Sequence, residues 1–262
     1  MAKMRVTILG CGGSDGVPML GGADGRGDWG ACDPANPRNR RTRASIHVAA
    51  EGVSLLVDTS PDLRDQLMAS GIGHVTHVAY THDHADHTHG INELRRLARL
   101  GPSRRIPVFA EPATMELLRQ RFGYAFEQLP GSPYPPILEA HAIEGPFRVG
   151  PMQVRPFRQE HGFGQTTLGF RIGDFAYSTD TIGFSAESCE SLEGLRVWVV
   201  DCVGNRRHPT HAWWDLTLSW IERFAPERAI LTHMGGGLDY ETTRRRCPAG
   251  VEPGYDGMVI EL

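Results

Sequence analysis

The sequence of 262 residues lacks several features that would define other classes of protein. It contains no run of about 18 apolar residues, the length that a membrane-spanning helix requires, so we expect no membrane partner. The apolar run before Gly10 is too short for a secretory signal. An excess of positive charge is also missing, because 27 Lys and Arg against 31 Asp and Glu leave a net charge of −4. This balance disfavours a large nucleic-acid-binding surface.

Paired cysteines are missing as well. The five cysteines are odd in number, scattered and without a CxxC motif: Cys11, Cys32, Cys189, Cys202 and Cys247. Such thiols are typical of reduced proteins, so we expect a cytoplasmic location. No fixed-period repeat, low-complexity tract or internal linker divides the chain. We therefore predict a single domain over residues 1–262, with the 40% apolar content of an ordinary globular protein.

Strand-like runs occur in two batches, and each batch is interleaved with helical segments. The first begins at residues 4–9 and continues with a hairpin at 45–60. The second covers most of residues 137–178 and continues to AILTHM at 229–234. This order predicts an α/β (α+β) fold, with two sheets packed face to face in a four-layer αββα sandwich. A long Gly/Pro/Arg-rich loop at about 17–43 has no periodicity, and loops of this length are often functional.

The segment THDHADHTH at residues 81–89 concentrates histidine and aspartate directly after a buried strand. In an extended chain, residues i and i+2 point the same way, so His82 and His84 can converge on one ion. Asp86 and His87 follow where the chain turns into a helix. They face a different direction and can serve a second ion.

A metal ion usually takes at least four ligands, so the rest must come from elsewhere in the chain. His161, Asp180 and His233 each stand where a β-rich run ends. The carboxylate of Asp180 can bridge two ions about 3.5–4 Å apart. The sequence therefore predicts two divalent ions, although His and Asp ligands alone do not determine which metal binds.

The sequence HDHADH at 82–87 resembles the HxHxDH signature of the metallo-β-lactamase-fold hydrolases. Within that superfamily, GCGGSDGVP, DPANPRNRRTRAS, LLVDTSPDLR and the C-terminal LTHM and YDGM most resemble the phosphoribosyl 1,2-cyclic phosphodiesterase group of phosphonate breakdown. The similarity spans nearly the whole chain. It implies two ions, manganese or zinc, that open a cyclic phosphate diester. It also implies ligands for one ion at His82, His84 and His161, ligands for the other at Asp86, His87 and His233, and Asp180 between them.

The resemblance has one departure. Members of that group can carry a structural zinc, held by a cysteine cluster in the early loop and by a histidine three residues after the last site histidine. Here the early loop contains Cys32 alone, and the later position is Gly236. We therefore expect no structural zinc. A homodimer is implied by the resemblance alone.

Further positions are candidates for supporting roles. Asp58 ends the strand LLVD and is expected to accept an imidazole N–H and so orient a metal ligand. His211 resembles the histidine that assists the leaving group in this family and in ribonuclease Z. Histidine titrates near neutral pH and can donate the proton, with His208 as the alternative donor. Arg41 and Arg43 are candidates for bidentate binding of a substrate phosphate.

Together these expectations describe a cytoplasmic phosphodiesterase acting on a small cyclic phosphate ester, either phosphoribosyl cyclic phosphate or a nucleotide-like compound. Hydroxide bridging the two ions would attack the phosphorus, with Asp180 and His211 as catalytic residues. A ribonuclease Z-like RNA phosphodiesterase is disfavoured by the net charge. A glyoxalase II-like thioester hydrolase is not excluded by the shared ligands. A mononuclear iron dioxygenase would not need the second ligand set, and the protein of pyrroloquinoline-quinone biosynthesis is a further alternative.

Overall fold

The computed structural model describes residues 3–262. The strands and helices of the first half are β1 (Arg5–Gly10), β2 (Ser45–Ala50), β3 (Val53–Val57), α1 (Leu63–Ala69), β4 (His77–Ala79), α2 (Ala85–Thr88), α3 (Leu94–Leu100), β5 (Ile106–Ala110), α4 (Pro112–Phe126) and β6 (Leu138–Ala142). Those of the second half are β7 (Phe147–Val149), β8 (Met152–Glu160), β9 (Thr166–Ile172), β10 (Phe175–Ser178), β11 (Gly183–Phe184), α5 (Ala186–Glu190), β12 (Val197–Asp201), α6 (Trp214–Phe224), β13 (Arg228–Thr232), α7 (Tyr240–Arg246), β14 (Val251–Pro253) and β15 (Val259–Glu261). Short 3-10 helices lie at Pro37–Asn39 and Ile91–Glu93.

The strands form two sheets. The first has the order β15-β1-β2-β3-β4-β5-β6, and the second has the order β11-β8-β9-β10-β12-β13-β14, with β7 beside β8. Each sheet changes from antiparallel to parallel pairing partway across, at β3–β4 in the first and at β10–β12 in the second. The parallel strands of each sheet therefore end at a common edge, where side chains that follow them can meet.

Side-chain alternation along the strands explains why both faces of the first sheet are covered. In β3, Leu55 and Val57 belong to the core between the sheets, and Leu56 belongs to the core beneath the helices. That second core contains Leu63 of α1 together with residues of α3 and α4. On the far side of the second sheet, Phe224 of α6 packs edge-on against Trp198 with 5.8 Å between ring centroids. The architecture is thus the predicted α/β fold of two packed sheets with helices outside.

Residues 17–43 run as an irregular loop whose last part is anchored by Arg41. The Arg41 side chain is buried, and its guanidinium donates to the Leu238 carbonyl at 2.6 Å and to the Gly235 carbonyl at 3.3 Å. It also lies 3.9 Å from Cys32 Sγ. Two of its nitrogens are thus engaged by the protein itself, and substrate binding by Arg41 stays a prediction. Arg41 joins the early loop to the segment that follows β13.

No helix within residues 3–262 combines the length and the hydrophobicity needed to cross a membrane.

Candidate metal centre

The residues predicted to bind metal, and Asp58, which is predicted to orient one of them, all come from strand ends or from the loop and helix that follow β4. Asp58 follows β3, His161 follows β8, Asp180 lies two residues after β10, and His233 follows β13. Three of these residues adopt a left-handed backbone, with φ of 64° at Asp58, 55° at Asp180 and 56° at His233. Non-glycine residues rarely take this conformation, and such strain tends to cluster at functional sites.

One group of ligand atoms belongs to His82, His84, His161 and Asp180. One nitrogen or oxygen from each lies within 4.8 Å of the others. The three imidazole rings stand close together, with centroids 4.4 Å apart for His82 and His84 and 5.1 Å apart for His84 and His161. His84 caps the short helix α2 with an extended backbone, and the chain changes direction there, as the motif predicts.

A second group contains Asp86, His87, Asp180 and His233, again within 4.8 Å of one another. His87 Nε2 lies 3.2 Å from Asp180 Oδ2 and 3.3 Å from Asp86 Oδ2. His233 Nε2 lies 3.4 Å from Asp180 Oδ1. Asp180 is therefore shared by both groups, with one carboxylate oxygen toward His87 and the other toward His233.

Hydrogen bonds to Nδ1 set the orientation of three of these imidazoles. Asp58 Oδ2 lies 2.8 Å from His87 Nδ1, and Asp58 also accepts from the backbone N–H and hydroxyl of Thr81. His161 Nδ1 lies 2.8 Å from the Thr210 carbonyl, and His82 Nδ1 lies 2.9 Å from Thr81 Oγ1. Each contact leaves Nε2 of that ring directed at the centre, which is how metal-binding histidines are usually held.

The inward-facing atoms fit a cation. Among residues 3–262, Nε2 of His82, His87 and His233 and Oδ2 of Asp86 are buried without a hydrogen-bond partner. Buried polar atoms without partners are rare in folded proteins, because each carries a desolvation cost. Imidazole nitrogen and carboxylate oxygen are the ligands that zinc, manganese and similar divalent ions accept. The donor set is thus compatible with binding of divalent metal.

The buried carboxylates of the centre also favour the binding of a cation. Burial acts to lower the pKa of His87, but the carboxylates of Asp180, Asp86 and Asp58 outweigh it and raise the pKa well above the usual value. Burial likewise opposes the effect of Asp180 and Asp86 on His233, and the net result raises its pKa to about 9. Dense buried carboxylate charge therefore attracts protons onto these rings, and divalent ions would balance the same charge.

A third group lies against the second and consists of Asp201, His211 and His233. The rings of His211 and His233 are stacked, with centroids 4.5 Å apart. His211 Nδ1 lies 3.2 Å from Asp201 Oδ2, and Asp201 is fully buried at the end of β12. Sequence reasoning missed Asp201, although it ends a buried strand in the same way as the other candidates. The signal is in the sequence RVWVVDC at 196–202, where Asp201 directly follows an apolar, strand-like run.

The remaining candidates lie at the periphery. The ring of His208 is 5.1 Å from that of His211, and its Nδ1 is 3.3 Å from the Thr210 hydroxyl. Arg43 is partly exposed and pairs with Asp62 at 3.1 Å. Substrate binding by His208 and Arg43 stays a prediction.

Comparison with known proteins places this geometry in a family. The β-lactamase superfamily domain matches residues 54–234. A crystal structure described as a new diphosphatase from the PhnP family is 32% identical, covers 99% of this chain and 97% of its own, and superimposes with a TM-score of 0.90. Zn(II)-bound PqqB from Methylobacterium extorquens, 17% identical over 98% of this chain and 100% of its own, has a TM-score of 0.77 and shows the fold alone.

An octanoyltransferase from Porphyromonas gingivalis is 30% identical over 97% of this chain. The match covers 51% of that protein, so this chain spans about half of the relative's length. The family match covers more than half of the present chain and includes every candidate ligand. The chain therefore belongs to the β-lactamase superfamily, has the metallo-β-lactamase fold and resembles the PhnP family.

Proposed function

We propose that this protein is a dinuclear phosphodiesterase that hydrolyses a small cyclic phosphate ester, either a ribose cyclic phosphate or a cyclic nucleotide. The observation that carries the proposal is the pair of ligand groups joined by Asp180, with His211 directly beside them. Two ions held by a shared carboxylate suit reactions at phosphorus, where both the attacking and the leaving oxygen carry negative charge. The similarity to a diphosphatase of the PhnP family supports chemistry at phosphorus.

The ligands of one ion would be His82, His84 and His161, and those of the other Asp86, His87 and His233, with Asp180 between them. When bound, the ions would supply Lewis acidity and lower the pKa of a water molecule toward neutrality. Asp58 and the Thr210 carbonyl hold the rings of His87 and His161 in place, so little reorganisation is required when metal and substrate bind.

His211 would donate the proton that the leaving oxygen takes up. Its Nδ1 faces Asp201 Oδ2 at 3.2 Å, so the Nδ1 proton would be donated to that carboxylate, and the proton for the leaving oxygen would come from Nε2 of the imidazolium form. Asp201 also accepts from the backbone N–H of Thr181 at 3.0 Å and of Ala212 at 3.3 Å. The carboxylate is therefore fixed, and it fixes the tautomer and orientation of His211.

A second candidate is hydrolysis of a diphosphate bond. It is favoured by the similarity to the diphosphatase of the PhnP family, with which this chain shares 32% identity. The chemistry differs only in the leaving group, a phosphate in place of an alkoxide. A phosphate leaves without protonation more readily than an alkoxide does, so this reaction would depend less on His211.

The test is a substrate panel with purified protein loaded in turn with Mn²⁺, Zn²⁺ and Fe²⁺. The panel contains bis-p-nitrophenyl phosphate, cyclic ribose phosphates, 2′,3′-cyclic nucleotides, a dinucleoside diphosphate, a small RNA, a glutathione thioester and an octanoyl thioester. We expect turnover of cyclic diesters with at least one metal. Hydrolysis confined to thioesters would refute the proposal, and hydrolysis confined to the diphosphate would establish the second candidate.

A further inference from the structure

The turn between β8 and β9 carries an exposed aromatic side chain that follows a candidate metal ligand closely in the sequence. Phe163 lies two residues after His161 and is 84% exposed. A phenylalanine side chain normally gains stability from burial, and this one forgoes most of that gain. Its position beside a candidate ligand makes the exposure relevant to the site.

The backbone of Phe163 is also strained. Its φ is 49°, and it lies between Gly162 and Gly164, which both have φ of 76°. Glycine adopts this left-handed conformation without penalty, and a residue with a β-carbon does not. The turn would therefore be more relaxed with glycine at position 163.

The other non-glycine residues with positive φ fall into two sets. Three lie in or beside the ligand groups, and three lie elsewhere: the first set is Asp58, Asp180 and His233, and the second is Glu51, Arg104 and Ala225. Glu51 is in the β2–β3 hairpin turn, Arg104 precedes β5, and Ala225 caps α6. Phe163 differs from the second set because it presents a large apolar side chain next to the site. Such an outlier points to a use for the side chain.

The turn that carries Phe163 is held firmly against the centre. His161 and Gln165 close it with backbone hydrogen bonds, from His161 N–H to the Gln165 carbonyl at 2.9 Å and from Gln165 N–H to the Gly162 carbonyl at 2.8 Å. Gly162 packs so closely on the next segment that a β-carbon there would lie 2.3 Å from the Pro209 carbonyl oxygen. The segment it touches continues directly to His211. The backbone that carries Phe163 is thus held between a candidate ligand and the segment that leads to the candidate proton donor.

The ring is free to accept a partner. The side chain of Phe163 is 84% exposed, and a β-carbon on the neighbouring Gly164 would also meet no atom within 4 Å outside its chain neighbours. A phosphate at the metal centre would direct its ester substituents outward, past His161 and this turn. A planar aromatic substituent would cover the exposed ring, because stacking suits any base regardless of its hydrogen-bonding groups.

We propose that Phe163 is a stacking platform for a planar aromatic group of the substrate, and that the substrate is a phosphate diester bearing a nucleobase. The inference rests on the proposed function and narrows it from small cyclic phosphates in general to nucleotides. It assigns Phe163 to recognition and not to the chemical step, so its contribution belongs in KM.

The kinetic test compares 2′,3′-cyclic AMP with ribose 2,3-cyclic phosphate, which carries no base. Phe163→Ala should raise KM for the nucleotide about tenfold or more, leave kcat nearly unchanged, and leave both constants for the ribose compound unchanged. Phe163→Tyr should retain the wild-type KM. Tyr134→Ala, which removes another exposed aromatic side chain away from the centre, is the matched control. An equal effect on both substrates, or no effect on either, would overturn the platform.

A binding test separates this inference from the proposed function. Calorimetry measures the affinity of the metal-loaded protein for AMP and for ribose 5-phosphate, with no turnover required. Loss of AMP affinity in Phe163→Ala, with ribose 5-phosphate affinity retained, supports the platform even if no diester is hydrolysed. Equal affinities in wild type and variant overturn it even if diesters are hydrolysed. Sedimentation provides a further check: a dimer that dissociates in Phe163→Ala with unchanged AMP affinity would make Phe163 an interface between copies instead.

Discussion

Asp180 is common to both ligand groups, and its two carboxylate oxygens face different histidines. Replacing Asp180 by Ala removes the shared ligand and the carboxylate oxygen nearest to Nε2 of His87 and of His233. We expect the variant to lose bound metal and nearly all activity. Metal analysis of the purified protein and the diesterase assay measure the two effects. Asp83→Ala is the control, because Asp83 belongs to the same segment as the HxHxDH motif but pairs with Arg121. Full metal content in Asp180→Ala would contradict the assignment.

The contact between His211 and Asp201 leads to a double-mutant prediction. His211→Ala should keep the metal and lower kcat on the order of 10²–10⁴-fold. Asp201→Asn should lower kcat by about 10–10³-fold, because the amide no longer fixes the imidazole tautomer. If Asp201 acts through His211, the double variant will be no slower than His211→Ala alone. Multiplicative losses in the double variant would show that the two residues act independently.

For single residues, the sequence indicates which side chains are candidate ligands better than it indicates which groups those side chains contact. The HxHxDH motif is local, and strand alternation alone separates His82 and His84 from Asp86 and His87. The strand-end position of Asp180 is also readable from the sequence. Which backbone carbonyl orients His161 is not, because Thr210 lies 49 residues away and meets it only in the folded chain.

Between elements, Arg41 joins the early loop to the segment that follows β13. Replacing it by Met keeps the bulk but removes the donor of the Leu238 carbonyl and one of the two donors of the Gly235 carbonyl, which should lower the free energy of unfolding by about 2–4 kcal/mol. Arg41→Lys should recover only part of this, because one ammonium cannot reproduce the planar fork. Denaturant titration of the wild type and of each variant measures this decrease in the free energy of unfolding.

Arg40→Ala is the control for the loss of the hydrogen bonds that Arg41 makes. Arg40 is exposed and stacks on Trp29 with 5.1 Å to the ring centroid, so its removal should cost about 1 kcal/mol or less. If Arg41→Met is no less stable than Arg40→Ala, the buried guanidinium does not hold the loop. Metal content is a second readout, because Gly235 lies two residues after His233.

The elements differ in how well the sequence predicts them. The β2–β3 hairpin and helix α6 follow from periodicity, and α6 buries Trp214, Thr217, Trp220, Ile221 and Phe224 along one face. Helix α7 was not predicted, because it follows a glycine-rich stretch and buries only Tyr240 and Thr243. Its start is set by Asp239, whose side chain accepts from the Thr242 N–H at 3.0 Å. A short helix without an apolar stripe depends on such a cap and on tertiary contacts.

Across the whole molecule, Asp256 connects the end of the chain to its beginning. Its carboxylate accepts from Cys11 N–H at 3.1 Å and from Thr42 N–H at 2.7 Å. Burial outweighs these hydrogen bonds and raises the pKa of Asp256 from 3.8 to about 6. Between pH 4 and 6, the unfolded chain therefore loses this proton while the folded chain retains it, and the folded state becomes less stable as the pH rises.

Because of this raised pKa, the difference in free energy of unfolding between the wild type and Asp256→Asn should depend on pH. The stability of the wild type relative to the variant should fall by about 2 kcal/mol from pH 4 to pH 6.5, because Asn does not titrate. Urea unfolding at several pH values measures both proteins, and the subtraction removes the other titrating groups. Curves that stay parallel would show that Asp256 ionises in the folded protein at its ordinary pKa.

The order of strands in two batches was sufficient to predict the layered architecture, although β6 of the second batch and the terminal β15 join the first sheet. The connections made by Arg41 and Asp256 were beyond prediction, since they join positions separated by about 200 residues or more. Both involve polar groups that are usually exposed, and only the packed structure shows that they are buried.

The left-handed backbone at Asp58, Asp180 and His233 has a consequence for evolution in the laboratory. Glycine at any of these positions would release strain while removing a group that the centre uses. A mutant library selected for thermal resistance alone would therefore accumulate glycine there and drift toward robust, inactive proteins. The conformational cost at these three strand ends is retained only while selection acts on turnover.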